Sequence, residues 1–256
     1  MSKERNQERN QERSQGKQEQ IVSMFDSIAS SYDRANRVLS LGIDVRWRKE
    51  ACVRAFEALG RDEIGRILDV ACGTGDMMSH WHAQAGACGK RIVESIGIDP
   101  SSGMLEVARE KLSPLIESGA LRLIKGEAAE LQLESESVDI LSIAYGLRNV
   151  VELDGALDEF ARVLRRGGIV VILEFMNNAQ GGLLDRLMRF YTRKILPLVG
   201  GLISRNYAAY KYLPDSIDGF VSAEELSQRL SARGVECYLI KGYSANISTL
   251  YVGVKA

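Results

Sequence analysis

The chain has 256 residues, with 33 lysines and arginines against 34 aspartates and glutamates, and 45% of its residues are hydrophobic. A net charge of −1 argues against a dedicated nucleic-acid binder, because such a protein carries a basic excess on one face. No apolar run reaches roughly 18 residues, and the N-terminus lacks the apolar core of a signal peptide. We therefore expect a cytoplasmic protein that does not span a membrane.

The cysteines and histidines predict neither a disulfide framework nor a metal site. No CxxC pair occurs among the four cysteines, which are Cys52, Cys72, Cys88 and Cys237. The two histidines, His80 and His82, would point away from each other on a helix. We expect both histidines to be incidental to function.

The N-terminal segment differs in composition from the rest of the chain. Residues 1–20 form a Glu-Arg-Asn-Gln repeat with little apolar surface. Such a segment gains too little from burial to offset the entropy of ordering, so we predict a disordered or frayed helical tail. From Ile21 onward the composition is that of a folded domain, which we expect over residues 21–256. Helix formers dominate residues 21–60 and predict an N-terminal helical cap.

Short β-branched runs alternate with helical patterns after the cap. The strand candidates are 67–71, 92–98, Leu121–Lys125, Val138–Ala144, 169–175, 237–241 and 249–254. Helices are predicted from about Asp76, over 102–115 and around 153–164. Strands joined by crossover helices form a parallel sheet that is covered on both faces, whereas the last two strands are close enough for an antiparallel hairpin. We predict one doubly wound α/β domain with an antiparallel edge.

A glycine-rich turn, DVACGTGD, follows the first predicted strand. Gly73 and Gly75 let the backbone turn sharply and approach a ligand. The dinucleotide motif GxGxxG is incomplete because Met78 stands at its third glycine, and GxG alone fits a structural turn equally well. Asp69, at the strand end, would repel a pyrophosphate but attract an ammonium group. Asp99, at the end of the second strand, can accept hydrogen bonds from the hydroxyls of a ribose.

A ligand with an ammonium group and a ribose but no phosphate is S-adenosylmethionine. The two segments resemble the cofactor site of the class I methyltransferases, which implies a Rossmann-like, seven-stranded sheet. The cofactor-binding residues implied by this resemblance are Asp69, Gly73, Thr74, Gly75, Asp99, Met104, Glu127 and Ala128. Met104 would pack on the adenine, with Glu127 and Ala128 beside its edge. Met104 also fits a core position, and Glu127 also fits a solvated loop.

Three further segments resemble the C-methyltransferases of ubiquinone and menaquinone biosynthesis, and the resemblance covers residues 24–256. The segments begin at Tyr32, Tyr145 and Tyr210 and read YDRANRVLSLGIDVRW, YGLRNV and YKYLPDSI. The resemblance implies methylation of a ring carbon of demethylmenaquinol, with a polyprenyl methoxybenzoquinol as the alternative acceptor. The substrate contacts that it implies are Tyr32, Tyr210, Tyr212 and Asp215. The chain departs from the family pattern at Asp44, where a histidine is common.

The chemistry of this reaction predicts a site that favours a phenolate. The ring carbon of a quinone is electron-poor, whereas that of a quinol, and more so of its phenolate, is electron-rich. A phenol that titrates near 10 is mostly neutral at pH 7, so the site has to stabilise the anion. Arg148 is our candidate because it cannot lose its proton, although an ion pair that locks its loop is the alternative. Asn149 and Tyr145 are expected to position the ring hydroxyl, with Asp33 and Asp215 as further candidate proton acceptors.

The segment before the last helical region predicts a lid over the substrate, within residues 176–221. Residues 181–201 interleave apolar and basic side chains. Such a stretch can lie at an anionic membrane surface, or it can cover a core or a homodimer face. We expect a lid and dock for the lipid tail, with peripheral association at the inner face of the cell membrane.

Other functions stay open at this stage. A methyltransferase for another small aromatic or lipid acceptor would share the cofactor residues, and so would a non-catalytic S-adenosylmethionine-binding partner subunit. Only a measurement of turnover distinguishes such a non-catalytic subunit from an enzyme. A nicotinamide dehydrogenase is disfavoured by Met78 and by the lack of an obvious acid or base for hydride transfer.

Overall fold

The computed structural model of the protein describes residues 2–176, 207–244 and 246–256, together with 194, 198 and 201. The side chains of residues 2–12 and 208–210 lie outside the described part. The strands are β1 (Glu63–Val70), β2 (Arg91–Asp99), β3 (Leu121–Lys125), β4 (Val138–Ala144), β5 (Leu164–Phe175), β6 (Val235–Tyr243) and β7 (Ser248–Lys255). They form one seven-stranded sheet in the order β3-β2-β1-β4-β5-β7-β6.

Helices flank this sheet on both sides. Those in the described residues are α1 (Ser2–Leu39), α2 (Ile43–Leu59), α3 (Asp76–Ala87), α4 (Ser102–Lys111), α5 (Ser113–Glu117), α6 (Leu153–Val163), α7 (Tyr207–Asp218) and α8 (Ala223–Ser231). A short 3-10 helix, Leu147–Asn149, follows β4.

The strand pairing confirms the predicted doubly wound α/β fold. Strands β1 to β5 pair in parallel, whereas β7 pairs antiparallel with both β5 and β6. The antiparallel C-terminal edge is therefore also confirmed. Because parallel strands end at the same edge of a sheet, the loops after β1, β2 and β4 lie side by side, where ligands bind in this class of fold.

The core lies on both faces of the sheet. On one face, Leu157, Phe160 and Leu226 of α6 and α8 pack against the strands. On the other face, Phe56 and Trp81 of α2 and α3 do the same. Strand β4 lies in the middle of the sheet and is buried except at its last residue, and five of its seven residues are apolar.

Two predicted helical segments are each divided in the structure. The segment predicted over 102–115 forms α4 and α5, because Pro114 lacks the amide hydrogen that would continue α4 and instead stands in the first turn of α5. The cap is divided between α1 and α2 at Leu41 and Gly42, whose φ angles are 52° and 76°. The division turns α2 back towards the sheet, where it contacts β5 and β7.

Residues 2–20, for which we expected a disordered or frayed helical tail, are the first part of helix α1. Their glutamates, arginines and glutamines are good helix formers. The side chains of 13–20 are exposed or half-buried, whereas Ile21 is buried. Further along α1, Ile28 and Ala35 pack with Met104 of α4. The change at residue 21 is thus a change in burial and not in secondary structure.

The predicted lid lies largely outside the described residues, so its role stays a prediction. Of the basic amphipathic stretch 181–201, the structure describes 194, 198 and 201 alone. In the described ranges no helix combines the length and the apolarity needed to cross a bilayer.

Candidate active site

The glycine-rich loop lies between β1 and α3 and has a backbone that few residues adopt. Ala71, Gly73 and Gly75 have φ angles of 49°, 55° and 80°. A Cβ atom on Gly75 would collide with the side chain of Leu112. Gly75 therefore serves the packing of the loop against α4, and it is Gly73 that faces the space at the edge of the sheet.

Asp69 is a buried carboxyl group at the end of β1. Its Oδ1 accepts a hydrogen bond from Ser142 Oγ at 2.6 Å, and Ser142 Oγ in turn accepts one from Trp81 Nε1 at 3.0 Å. Burial is the main cause that raises the pKa of Asp69 to about 7, with Ser142 and Arg48 opposing it. A bound ammonium group would supply the missing positive charge and favour the ionised form.

Asp99 holds two loops together through backbone amides. Its two carboxylate oxygens accept hydrogen bonds from Gly73 N and Ser101 N, both at 2.8 Å. Burial raises its pKa to about 6 against these hydrogen bonds, and Glu127 adds to the rise. The carboxylate is thus fixed beside the glycine-rich loop, as a ribose acceptor needs to be.

These groups surround one small cavity, which we call the polar cavity. The predicted cofactor residues that line it are Asp69, Gly73, Thr74, Asp99, Met104, Glu127 and Ala128. Its volume is about 90 Å³, because Gln18, Ile21 and Phe25 of helix α1 cover it. The structure therefore brings together every predicted cofactor residue except Gly75, which lies behind the loop.

The residues of the polar cavity fit S-adenosylmethionine chemically. The amide Nε2 of Gln18 donates a hydrogen bond to Glu127 Oε2 at 3.0 Å, which shows that Glu127 accepts from an NH₂ group at the place expected for adenine. Met104 is 2% exposed, lines the cavity and packs in the core. A contact with adenine and a core position are therefore compatible for this residue. Asp69 and Asp99 add acceptors for an ammonium group and a ribose.

Helix α1 is tied to the glycine-rich loop by charged side chains. Thr74 Oγ1 donates a hydrogen bond to Asp33 Oδ1 at 2.5 Å. Lys111 Nζ donates to Asp33 Oδ2 at 2.7 Å and to Asp76 Oδ1 at 2.6 Å. Asp33 belongs to neither described cavity lining, so the structure places this candidate proton acceptor at the glycine-rich loop and not beside Tyr145, Arg148 and Asn149.

A second cavity of about 380 Å³, which we call the apolar cavity, lies next to the first. Its apolar lining comes from α1, α2, α7, the end of β5 and the turn between β6 and β7, and includes Ile28, Leu39, Trp47, Phe175, Leu213, Ile217 and Ile247. Tyr212 also lines it. Asp215 is exposed and lies outside this lining, and the side chain of Tyr210 lies outside the described residues.

The two cavities meet at a shared wall. The residues that line both are Phe25, Tyr32, Arg48, Tyr145 and Asn149. Asn149 is 8% exposed, and its buried Oδ1 has no hydrogen-bond partner among the described residues. A buried acceptor without a partner is unfavourable, so this amide is poised to accept a hydrogen bond from a ligand.

Tyr145 stands in a strained backbone conformation at this wall, with a φ angle of 61°. Its hydroxyl lies 3.0 Å from Ser248 Oγ, and its ring lies 4.7 Å from that of Phe175, measured between centroids. Burial raises the pKa of Tyr145, while Arg48 opposes the rise. Tyr145 therefore stays a neutral phenol.

Arg148 is engaged in a buried ion pair. Its Nη1 donates a hydrogen bond to Glu174 Oε1 at 2.5 Å and another to the carbonyl oxygen of Tyr145 at 2.7 Å. Its backbone N–H donates to Glu174 Oε2 at 3.2 Å, and Nε donates to Ser216 Oγ at 3.3 Å. Arg148 lines the apolar cavity, and at the same time it locks the loop after β4.

Sequence reasoning missed Arg48 and Glu174. Arg48 is 7% exposed and lies on the shared wall. The spacing of Asp44 and Arg48, four residues apart on a predicted helix, was the available signal for an ion pair. Glu174 ends an apolar strand and is fully buried, which signals a partner of opposite charge.

Residues 13–255 match the family described as the ubiE/COQ5 methyltransferase family. The chain is 49% identical over 239 residues to the "Ubiquinone/menaquinone biosynthesis C-methyltransferase UbiE" of Campylobacter jejuni serotype O:6 (strain 81116), with 93% of this chain and 99% of that protein covered. It is 37% identical over 241 residues to the protein of the same name from Geobacter sulfurreducens, with 93% and 90% covered.

Solved structures share the fold at low sequence identity. A chain of the complex between the Haloferax volcanii Trm112 methyltransferase activator and its putative methyltransferase aligns with a TM-score of 0.61 at 17% identity, covering 90% of this chain and 97% of that one. A SAM-dependent methyltransferase from Thermotoga maritima aligns with a TM-score of 0.56 at 21% identity, covering 92% and 100%. The likeness to these two is one of fold.

Proposed function

The chain belongs to the ubiE/COQ5 methyltransferase family, whose cofactor is S-adenosylmethionine, and we propose that it methylates a ring carbon of demethylmenaquinol to give menaquinol. The observation that carries the proposal is the meeting of a polar cavity and an apolar cavity at one wall. A prenylated quinol needs such a pair, because its ring has to reach the cofactor while its tail stays away from water.

The polar cavity is the cofactor end of the site. S-adenosylmethionine, when bound, supplies an electrophilic methyl group on a sulfonium. Asp69 would hold the ammonium group, and Asp99 would accept hydrogen bonds from the ribose hydroxyls. Glu127 would accept from the adenine amino group in place of Gln18, whose amide occupies that carboxylate here.

The apolar cavity suits the prenyl tail. A prenyl chain has no hydrogen-bonding group, so its burial is favoured wherever the lining is apolar. Trp47 of α2 and Leu213 and Ile217 of α7 provide such a lining. Tyr32 and Tyr212 line the same cavity, and we place them beside the quinol.

The ring of the quinol belongs at the shared wall. Asn149 Oδ1 is available there to accept a hydrogen bond from a ring hydroxyl. Tyr145 would hold the ring in line with the methyl group, which is the main task of a protein when the electrophile is already activated. Arg148 adds positive charge at this wall, balanced by Glu174, and keeps the loop with Tyr145 and Asn149 in place.

The place of action follows from the substrate. A polyprenyl quinol dissolves in the bilayer, so we propose that the protein works as a peripheral protein at the cytoplasmic face of the membrane. Residues 181–201, with their alternating apolar and basic side chains, are the segment that we propose to dock there.

The experiment that tests the function is methyl transfer from labelled S-adenosylmethionine to demethylmenaquinone, with and without dithionite as reductant. We expect label in menaquinone only under reduction, because the quinol ring carbon is a nucleophile and the quinone carbon is not. A polyprenyl methoxybenzoquinone is tested in parallel, since the same two cavities would accept it. Binding of the cofactor without label in either product would overturn the proposal.

A further inference from the structure

Arg48 is a buried cation that the reaction described above does not yet use. It lies on helix α2 and lines both cavities. Its guanidinium carbon lies 5.0 Å from the centre of the Tyr145 ring. Its Nε is buried and has no hydrogen-bond partner among the residues that the structure describes. Arg48 thus lies at the shared wall, where the quinol ring belongs, and keeps one donor without a partner among the described residues.

The charge of Arg48 is shared with a carboxylate that already has other partners. Arg48 Nη1 donates to Asp44 Oδ2 at 3.0 Å. Asp44 also accepts from Arg37 Nη1 at 2.9 Å and from Ser40 Oγ at 2.6 Å. Asp76 and Asp69 also act on Arg48, but Asp76 is paired with Arg37 and Lys111, and burial raises the pKa of Asp69 to about 7. Because Arg37 likewise pairs with Asp44, the charge on Arg48 is balanced only in part.

Arg148 presents the opposite case. Glu174 is wholly enclosed and contacts both the side chain and the backbone N–H of Arg148. Ser216 and the carbonyl oxygen of Tyr145 take further donors of the same guanidinium. Of the two arginines, Arg48 is thus the one whose positive charge is less fully balanced and whose Nε donor has no partner among the described residues.

Two phenol side chains lie close enough to Arg48 to feel its charge. Burial raises the pKa of Tyr145, and Arg48 is the strongest opposing influence. Burial likewise raises the pKa of Tyr32, where Arg148, Asn36 and Arg48 oppose the rise. A third phenol between these two rings would feel the same charge.

We propose that Arg48 is a catalytic residue that binds the ring oxygen of the quinol and holds it as an anion, while Arg148 positions the loop of Tyr145 and Asn149. The inference rests on the proposed function. It also accounts for Asp44, which holds the guanidinium against the shared wall.

The ring hydroxyl gives its proton to water and becomes a phenolate beside Arg48. The ring carbon forms a bond to the methyl carbon, the bond from that methyl to sulfur breaks, and sulfur keeps the electron pair as a neutral thioether. The same ring carbon then loses its hydrogen as a proton to water, which restores the aromatic ring as a phenolate, and the phenolate oxygen takes one proton back from water to give the quinol. One proton is released for each methyl group transferred.

The test measures the ionisation of a bound phenol without turnover. The wild type and Arg48→Gln are saturated with S-adenosylhomocysteine and 1-naphthol, and the absorbance of bound naphtholate is followed against pH. We expect the wild type to lower the pKa of bound naphthol by roughly 1–3 units, as an opposite charge at close range does, and Arg48→Gln to leave it unchanged. Arg48→Lys keeps the charge and is expected to restore part of the shift.

Kinetics with demethylmenaquinol give a second readout. We expect Arg48→Gln to lower kcat about 100-fold at pH 7, with a loss that shrinks towards pH 10 as the quinol ionises unaided. Arg46→Met is the matched control, because Arg46 is an exposed cation on the same helix, and it should leave both readouts unchanged. Cofactor binding and the thermal unfolding midpoint establish that each variant is folded.

An unshifted naphthol pKa in the wild type would overturn the inference by itself, whether or not Arg48→Gln folds. So would a kcat loss that is the same at every pH. If the wild type methylates no quinol, the proposed function fails, and the naphthol titration still decides whether Arg48 stabilises a bound phenolate.

Discussion

The polar cavity and the apolar cavity share a wall but arise from the sequence in different ways. The polar cavity takes its proposed ammonium and ribose acceptors and its glycine-rich loop from the ends of β1 and β2, where short sequence motifs mark them. The apolar cavity is assembled from α1, α2, α7, the end of β5 and the turn between β6 and β7. Cofactor recognition is thus a property of short motifs, whereas acceptor recognition is a property of the tertiary structure.

The chemistry of the two cavities differs in the same sense. In the polar cavity, the carboxyl groups of Asp69 and Asp99 have raised pKa values and would bind charged or hydroxylated groups of a ligand. In the apolar cavity, many side chains contribute small amounts of apolar contact. Single substitutions should therefore have large effects in the first and modest effects in the second.

The largest effect is expected for Asp99→Ala. The substitution removes the acceptor of Gly73 N and Ser101 N and the proposed acceptor of the ribose hydroxyls. Each hydrogen bond to a charged group is worth roughly 1.5–3 kcal/mol, so the dissociation constant of S-adenosylmethionine should rise about 100-fold or more by isothermal titration calorimetry. Glu127→Gln, which keeps an acceptor, should weaken binding far less. Equal losses in the two variants would contradict the role of Asp99.

A pH-dependent effect of intermediate size is expected at Asp69. The folded protein holds a proton on this carboxyl group up to about pH 7, whereas the ordinary pKa is 3.8. The stability that this proton contributes is complete below the ordinary value and is lost as pH rises through about 7. The free energy of unfolding of Asp69→Asn, measured relative to that of the wild type, should therefore increase from pH 5 to pH 8 by about 1–4 kcal/mol.

Thermal and urea unfolding of the ligand-free protein at the two pH values measure this difference. Cofactor binding gives the converse result, because an ammonium group needs the ionised carboxylate. Affinity for S-adenosylmethionine should rise from pH 6 to pH 8 in the wild type and stay flat in Asp69→Asn. A stability difference that is the same at pH 5 and pH 8 would show that Asp69 in the folded protein does not change its protonation state between these two pH values.

The smallest effect is expected for Ile217→Asn in the apolar cavity. Loss of one half-buried aliphatic side chain should raise the KM for long-tailed demethylmenaquinol about tenfold. The KM for a naphthoquinol without a prenyl tail should not change, and this substrate is the internal control. Ile240→Asn, at an exposed position on β6, is the matched variant and should leave both values unchanged. A rise with both substrates would place the tail elsewhere.

Much of the fold and of the polar cavity could be predicted, because both depend on local patterns. The apolar runs predicted β3 and β4 to the residue, and Asp69 and Asp99 could be placed at strand ends from the sequence alone. Their neighbours along the chain decide where these side chains lie. The partnership of Gly73 N with Asp99 follows once β1 and β2 are adjacent.

The shared wall could not be predicted to the same extent, because it depends on contacts between distant segments. Arg48 reaches Tyr145 only after α2 turns back at Leu41 and Gly42. Asp33 was expected near the acceptor ring, but Thr74 and Lys111 hold it at the glycine-rich loop. Charge alone indicates that such residues need partners, and it does not indicate which partners they find.

Helix α1 shapes the cofactor end of the site and is bonded to the loops around it. The polar cavity beneath it holds about 90 Å³, well below the roughly 300 Å³ at which small-molecule pockets begin. Asp26, through Ser101 Oγ at 2.6 Å, and Asp33, through Thr74, fasten the helix over the opening. Each exchange of spent cofactor for fresh cofactor therefore requires these bonds to break and re-form. Under the proposed function, helix α1 has to move for S-adenosylhomocysteine to leave, so we expect the opening of this helix to contribute to the residence time of that product.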